Sequence, residues 1–318
     1  MVVPSHARAL RLRWLLNALD EQSLTPSRWE VVIVHDDADE RSERALAEHG
    51  FSDDGRLRRF RLPPGTGSPS RQRNIGWRAA GAPLIAFTDD DCRPEPDWLE
   101  RLLATAQDHP GAIVQGATRP DPYETDALPM TPRVRTILVD PPGPYAQTCN
   151  ILYPRDVLER VGGFDEAMPA PAGEDTDLAV RARAAGAPYV GAPAAIVNHA
   201  VVTHSLPGIL RVSWKWQHLA FVVKRHPQLR RHTVGGIFWR PSHAVAIGSL
   251  AAAAAFGPRR PAALLLAGLY LKSLMPFTGR SPKRWARRMV ELPTRLLIDL
   301  TEIAALARGS LRYRTLFL

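Results

Sequence analysis

The chain has 318 residues, enough for one large domain or two ordinary ones with a sizeable core. Hydrophobic residues make up 45% and charged residues 23%, which excludes wholesale disorder, and the formal net charge is +9. Two cysteines, Cys92 and Cys149, exclude a disulfide scaffold and a four-cysteine zinc site, and they permit a reduced, cytosol-facing protein.

Met1-Val2-Val3-Pro4-Ser5 lacks the charged start and apolar core of a signal peptide, and Val2-Val3 reads as a strand stub. Residues 10–21 have helical spacing, with Leu12, Leu15, Leu16 and Leu19 on one face. Glu30-Val31-Val32-Ile33-Val34 is the pattern of a strand buried on both faces, and it ends in His35-Asp36-Asp37. Residues 41–49 predict a helix closed by Gly50, and 56–62 a strand. A Pro/Gly/Ser loop over 63–69 leads into a helix over 70–80, ended by Gly81. Leu84-Ile85-Ala86-Phe87-Thr88 is a second buried strand, ending in Asp89-Asp90-Asp91. A helix over 95–107 and a strand over 112–117 follow. Residues 120–144 hold seven prolines and read as a long irregular loop. Beyond it come an extended stretch at 145–152 and a short helix at 154–161. The turn Gly162-Gly163-Phe164-Asp165-Glu166, a loop at 170–173, a helix at 174–185 and a last strand within 188–199 complete this part.

Alternating strands and helices on short loops predict an α/β fold, a mostly parallel sheet flanked by helices. Ligands in such sheets bind outside the carboxyl ends of the strands. Both acidic clusters fall at such ends, so they are expected to converge on one crevice.

Asp89-Asp90-Asp91 carries the strongest local signal. Carboxylates at i and i+2 past a buried strand can grip Mg²⁺ or Mn²⁺, and the bland alternative is a solvated acidic turn. Asp36 and Asp37 can accept hydrogen bonds from a base or ribose, or simply cap a helix. Arg71 and Arg73, with Asn74, open a helix after a flexible loop, where guanidinium groups and the helix N-terminus favour phosphate. Glu174-Asp175-Thr176-Asp177 starts another helix, and a carboxylate there can serve as a general base or merely complement the helix dipole. A neutral imidazole at His199 or His204 can complete a metal shell or touch phosphate, although a lone histidine is more often structural. His204 is the one placed in the expected metal set. Cys92 reads as a small packed side chain.

In order, these motifs resemble a family 2 glycosyltransferase of the GT-A fold, over roughly residues 1–200. Val2-Val3-Pro4-Ser5-His6 looks like the first strand and nucleotide loop, and Val31–Asp37 like the second strand with its acidic end. Arg71-Gln72-Arg73-Asn74-Ile75-Gly76 with Ala80-Gly81 is similar to the family's "xRNxG…AxG" helix. Phe87-Thr88-Asp89-Asp90-Asp91 matches its DxD signature. Asn150, Val161–Glu166 and Gly173-Glu174-Asp175-Thr176-Asp177-Leu178 match its acceptor-side segment and "ED" motif.

The resemblance implies a nucleotide-diphosphate sugar donor whose diphosphate is held by Mg²⁺ or Mn²⁺ at Asp89 or Asp91. It implies a nucleotide held by Pro4 and Ser5, by Asp36 or Asp37, by Arg71 or Arg73 with Asn74, and by Asp89 and Asp90. Asp175, or Glu174, is the implied base on the acceptor hydroxyl, with Asn150 and Asp177 on the acceptor side and inversion at the anomeric carbon. No Gln-x-x-Arg-Trp motif of processive synthases is evident, which favours single-sugar transfer. A sugar-nucleotide pyrophosphorylase would want a catalytic lysine near the N-terminus, and residues 1–204 contain none. Intact Asp89, Asp91 and Asp175 oppose a non-catalytic binding protein.

The net charge divides unevenly. Residues 205–318 hold 19 Lys+Arg and 3 acids, while residues 1–204 hold 22 Arg and 29 acids. The two parts are therefore +16 and −7, and they are read as a catalytic domain (1–204) and a helical, basic C-terminal region (205–318). Apolar runs at 244–256 and 262–271 are each short of the about 20 residues a spanning helix needs. They predict a shallow hairpin or two interfacial helices. Lys283-Arg284-Trp285-Ala286-Arg287-Arg288 is followed by apolar Val290, Leu292, Leu296, Leu297, Leu300, Ile303, Ala304 and Leu306. That pattern predicts an amphipathic helix drawn to an anionic membrane surface, or else a packed helical subdomain. The expected location is the cytosolic face of a membrane and the expected acceptor a lipid-linked or cell-envelope glycan. No recognised motif supports nucleic acid as a partner.

Overall fold

The computed structural model describes residues 1–36, 40–52, 54–125, 131–169, 172–275 and 282–318, leaving out the side chains of 282–285, 287 and 288. The chain divides into two compact units, Met1–Leu128 with Arg135–Val202, and Pro129–Val134 with Thr203–Leu318.

The first unit is built on β1 (Val2–Ser5), α1 (Ala9–Asp20), β2 (Val31–His35), α2 (Arg41–Ala47), β3 (Leu57–Arg61), α3 (Pro69–Ala79) and β4 (Leu84–Thr88). It continues with β5 (Cys92–Pro94), α4 (Trp98–Asp108), β6 (Ile113–Pro120), β8 (Asn150–Pro154), α5 (Arg155–Val161), α6 (Glu174–Ala184) and β9 (Tyr189–His199), while β7 (Val134–Arg135) and β10 (Val202–Thr203) each hold one residue of either unit. Eight strands form one sheet in the order β3-β2-β1-β4-β8-β6-β9-β5, and β7 pairs with β10. The neighbours from β3 to β4 are parallel, as are β6 and β9. β8 runs antiparallel to both β4 and β6, and β5 antiparallel to β9. The sheet is thus mixed beyond its parallel half.

Successive strand side chains point to opposite faces, so a strand apolar at every position fills two cores. Val31 and Ile33 join Leu12, Leu15, Leu16 and Leu19 of α1 and Trp98 and Leu102 of α4. Val32 and Val34 join Trp77 of α3, Val157 and Leu158 of α5, and Leu178 and Ala182 of α6. Gly76 lets α3 approach the sheet, since a Cβ there would collide with the Val2 side chain. This two-sided burial fixes the register of β1, β2 and β4, so their carboxyl ends open at one edge.

The second unit is helical, with α7 (Leu206–Trp214), α8 (Leu219–Arg225), α9 (Pro241–Phe256), α10 (Pro261–Ser273) and α11 (Pro282–Tyr313). Ser205 caps α7 by accepting from the Gly208 amide at 3.2 Å. Gly257, at φ 96°, separates α9 from α10, which pack together as two helices. Among the described residues no helix is long and apolar enough to cross a membrane. The apolar positions expected as one stripe on α11 divide. Leu292, Leu296 and Ile303 pack with Ala246, Tyr270 and Leu274, and Leu306 joins Ala220, Val223 and Phe317. Val290, Leu297 and Leu300 stay exposed. A long helix lying on other helices must bury one flank, and the sequence stripe merged that flank with the free one.

Candidate active site

Three strand ends and two helix starts meet at the carboxyl edge of the sheet. Ser5 ends β1, Asp36 follows β2, and Asp89-Asp90-Asp91 follow β4. Helix α3 begins behind the Ser68 cap, whose hydroxyl accepts from the Arg71 amide at 3.2 Å. Helix α6 begins at Gly173, which is left-handed at φ 88°, and carries Glu174, Asp175 and Asp177 in its first turn. Carboxylates at a helix N-terminus are electrostatically favoured.

Arg73 joins these segments. One guanidinium nitrogen donates to Asp89 Oδ1 at 2.8 Å and the other to Glu174 Oε1 at 3.1 Å. Burial works to lower its pKa, but Asp89 and Glu174 outweigh burial and raise it, so the charge is permanent. Arg73 is therefore buried and engaged by two carboxylates. Its fork geometry suits two acids lying in different directions.

The three aspartates differ. Asp90 is buried, accepting from Ser5 Oγ at 2.9 Å, the His6 amide at 3.2 Å and Arg8 at 3.0 Å. Burial pushes its pKa up to about 6. It fastens the strand ends together, tying β1 to the end of β4. Asp89 is the most open of the three, its side chain 22% exposed. Asp91 meets Arg8 at 2.5 Å and His199 Nε2 at 3.6 Å.

Within the first unit, His199 is the histidine beside the DxD segment. The cause is the pairing of Cys92 with His199 between β5 and β9, reinforced by the Ala200 amide donating to the Asp91 carbonyl at 2.9 Å. The strand is only three residues long and contains Pro94, so no periodicity announced it. His204 lies in the second unit, where its amide donates to the Arg133 carbonyl at 3.1 Å.

Asp91, Cys92 and His199 present ligand atoms within 4.8 Å of one another. Burial holds the Cys92 thiol well above its usual pKa, so it stays protonated and is no ligand for a hard cation. The remaining donors of that group, the Asp91 carboxylate and the His199 imidazole, are of types that suit Mg²⁺ or Mn²⁺, while Asp89, two residues earlier, lies outside the group and meets Arg73. Arg8 is half exposed and can turn away from Asp91 when a cation binds.

Asp175 lies near this acidic edge on α6. Burial first, then Glu174, pushes its pKa up to about 7, with the Thr176 amide and Arg73 opposing. Glu174 itself is fixed by Arg73. Asp175 is thus the better base, having a proton affinity matched to neutral pH.

Asp36 accepts from the Gly67 amide at 3.0 Å and pairs with His6 Nδ1 at 2.7 Å. Asp37 lies outside the described residues. Pro4 is buried within β1 and the Ser5 carbonyl accepts from Gln72 at 2.9 Å. Arg71 is exposed at the first turn of α3, donating to the Thr66 carbonyl at 3.0 Å.

Three further expected site residues have their polar groups engaged by the fold. Asn74 donates to the Phe164 carbonyl at 2.9 Å and Glu166 at 2.7 Å, and accepts from Trp77 and the Phe164 amide. It clamps the Gly162–Phe164 turn, where Gly163 has φ 74° and a Cβ would press on Asn74 Oδ1. Asn150 donates to the Ala117 and Ala195 carbonyls and accepts from Trp98, so both its amide hydrogens are spent inside the sheet. Asp177 is fully buried and pairs with Arg181 at 2.8 Å. All three shape the site from behind. Single-sequence motifs mark such residues as important without saying which way they point.

The fold is that of the GT-A class. A solved structure of the mannosyltransferase PcManGT from Pyrobaculum calidifontis, in complex with GDP-Man and Mn²⁺, matches with TM-score 0.64 at 18% identity. That match covers 95% of this chain and 86% of the other, and it speaks for the fold. The profile of Glycosyl transferase family 2 matches residues 1–162, and the chain belongs to that family. Among curated relatives, the glycosyltransferase AglE of Haloferax volcanii is 26% identical, over 58% of this chain and 61% of its own length. A glucosyl-dolichyl phosphate glucuronosyltransferase of the same organism is 30% identical, over 43% of this chain and 46% of its own. The chain thus spans about half to three-fifths of the length of the curated relatives it matches.

Proposed function

We propose that this chain is a metal-dependent, inverting glycosyltransferase that moves a sugar from a nucleotide-diphosphate donor to an acceptor hydroxyl. The observation that carries this is one buried arginine, Arg73, holding the DxD carboxylate Asp89 and the α6 carboxylate Glu174 beside Asp175. The donor side and the base come from different segments, as in-line displacement requires. Asp91 and His199, with the neighbouring Asp89 of the same segment, would hold Mg²⁺ or Mn²⁺. When bound, that ion neutralises charge developing on the leaving diphosphate. Arg71 and the start of α3 favour phosphate from the protein side. Asp175 takes the proton of the acceptor hydroxyl as its oxygen bonds to the anomeric carbon. The bond from that carbon to the phosphate oxygen breaks, its electron pair leaves with the diphosphate, and configuration inverts.

A thermal-shift panel of nucleoside diphosphates and sugar nucleotides, with and without Mn²⁺, tests donor binding. At least one should raise Tm with Mn²⁺ and far less without it, because a ligand bound only by the folded state stabilises it. No metal-linked shift for any of them would remove the reading.

The second unit is the proposed membrane-facing part, at the cytosolic face, with a lipid-linked or envelope glycan as acceptor. Leu250, Phe256, Leu264, Leu265, Leu269 and Val290 are exposed on helices of a region that carries +16. A relative named for a dolichyl phosphate substrate supports the same reading. The protein should cosediment with phosphatidylglycerol vesicles, release substantially at high salt, and bind neutral vesicles weakly. Equal behaviour with both vesicle types would contradict it.

A further inference from the structure

The helical unit buries a cluster of ionisable side chains that glycosyl transfer does not use. His243 lies in the first turn of α9, and Asp299 and Glu302 lie three apart on α11, on one helix face. Their exposures are 0%, 5% and 1%. Neither ring nitrogen of His243 makes a hydrogen bond among the described residues. Its Nε2 is aimed at both acids, 3.6 Å from Asp299 Oδ1 and 3.8 Å from Glu302 Oε2.

Those separations are too long for hydrogen bonds. They are close to the about 3.3 Å expected between two ligands on a tetrahedral ion with bonds near 2.0–2.2 Å. The carboxylates are also oriented from outside. Asp299 Oδ1 accepts from Ser242 at 2.8 Å and Oδ2 from Tyr270 at 3.0 Å, and Glu302 Oε1 accepts from Ser213 at 3.3 Å. Such outer hydrogen bonds accompany ligating carboxylates.

Arg240 approaches Glu302 Oε2 at 3.2 Å but is 44% exposed and can turn to solvent, leaving that oxygen to a bound ion.

We propose that His243, Asp299 and Glu302 bind a divalent first-row transition ion, Zn²⁺ foremost, which ties the start of α9 to α11. An imidazole with two carboxylates suits Zn²⁺ better than Mg²⁺ or Ca²⁺. The role is structural and independent of the donor site.

The test uses the full chain carrying Asp89→Asn, Asp91→Asn and His199→Gln, which disables the donor-side set. After chelation and dialysis, it should take up one equivalent of Zn²⁺ with a rise in Tm. Co²⁺ in its place should give the visible absorption of a tetrahedral nitrogen/oxygen site. Adding His243→Gln should weaken Zn²⁺ binding by more than about 100-fold. The cobalt spectrum needs no change at the cluster, so it decides the matter even if that last variant fails to fold. No Zn²⁺ uptake, no tetrahedral cobalt band, or unchanged affinity in a folded His243→Gln protein would each overturn the proposal.

Discussion

Asp175→Asn is expected to lower kcat by about 10²–10⁴-fold, the usual worth of a positioned general base. Asparagine keeps the size and the hydrogen bond from the Thr176 amide, 2.8 Å in the native chain, but cannot take a proton. Donor binding should survive, because Asp89, Asp91 and Arg71 are untouched. The native enzyme should show kcat rising with pH up to about 7 and levelling above it, since the ionised form of Asp175 is the active one. The same shift has a sign for stability. A carboxylate whose pKa rises on folding favours the folded state most at low pH, and that contribution is lost as pH climbs from about 4 to about 7. Asp175→Asn should therefore flatten both profiles. Unchanged turnover in this variant, with donor bound, would remove Asp175 from the base role.

Arg73→Ala is expected to cost about 3–5 kcal/mol of stability, the range for breaking a buried ion pair from one side. The variant strands Asp89 and Glu174, the latter almost wholly buried. Urea denaturation at constant m-value measures the loss. Arg73→Lys should recover little, since an ammonium cannot reach two acids in different directions as the fork does. A loss below about 1 kcal/mol, the scale of an exposed pair, would show that Arg73 does not organise the site.

The parallel half of the sheet was legible because β2 and β4 are apolar at every position and end in aspartates. Local periodicity carries that information without any partner. The antiparallel β5 and β8 were not legible as such, because β5 is three residues long and is defined only by its pairing with β9, about 100 residues later, and β8 by its insertion between β4 and β6. The same limit explains the site. Asp89, Asp91 and Asp175 stood out by type and place, whereas Arg8 and His199 reach the cluster only through pairings across 82 or more residues. Asn74, Asn150 and Asp177, read from the motifs as ligand-side residues, have partners inside the fold that the motifs do not reveal. A motif records that a polar side chain is needed but not whether its partner is a substrate or a carbonyl of the fold. His243, alone in its sequence neighbourhood, gained its acids from a helix more than 50 residues away.

Proton NMR of donor hydrolysis, with water as acceptor and Mg²⁺ present, tests inverting, metal-dependent transfer without knowledge of the natural acceptor. With an α-linked nucleotide sugar that the protein binds, the first sugar released should be the β anomer, before mutarotation mixes the two. Chelation should stop the reaction and Asp175→Asn should slow it by the factor given above. An α anomer appearing first, or equal rates with and without the ion, would contradict inverting transfer at this site.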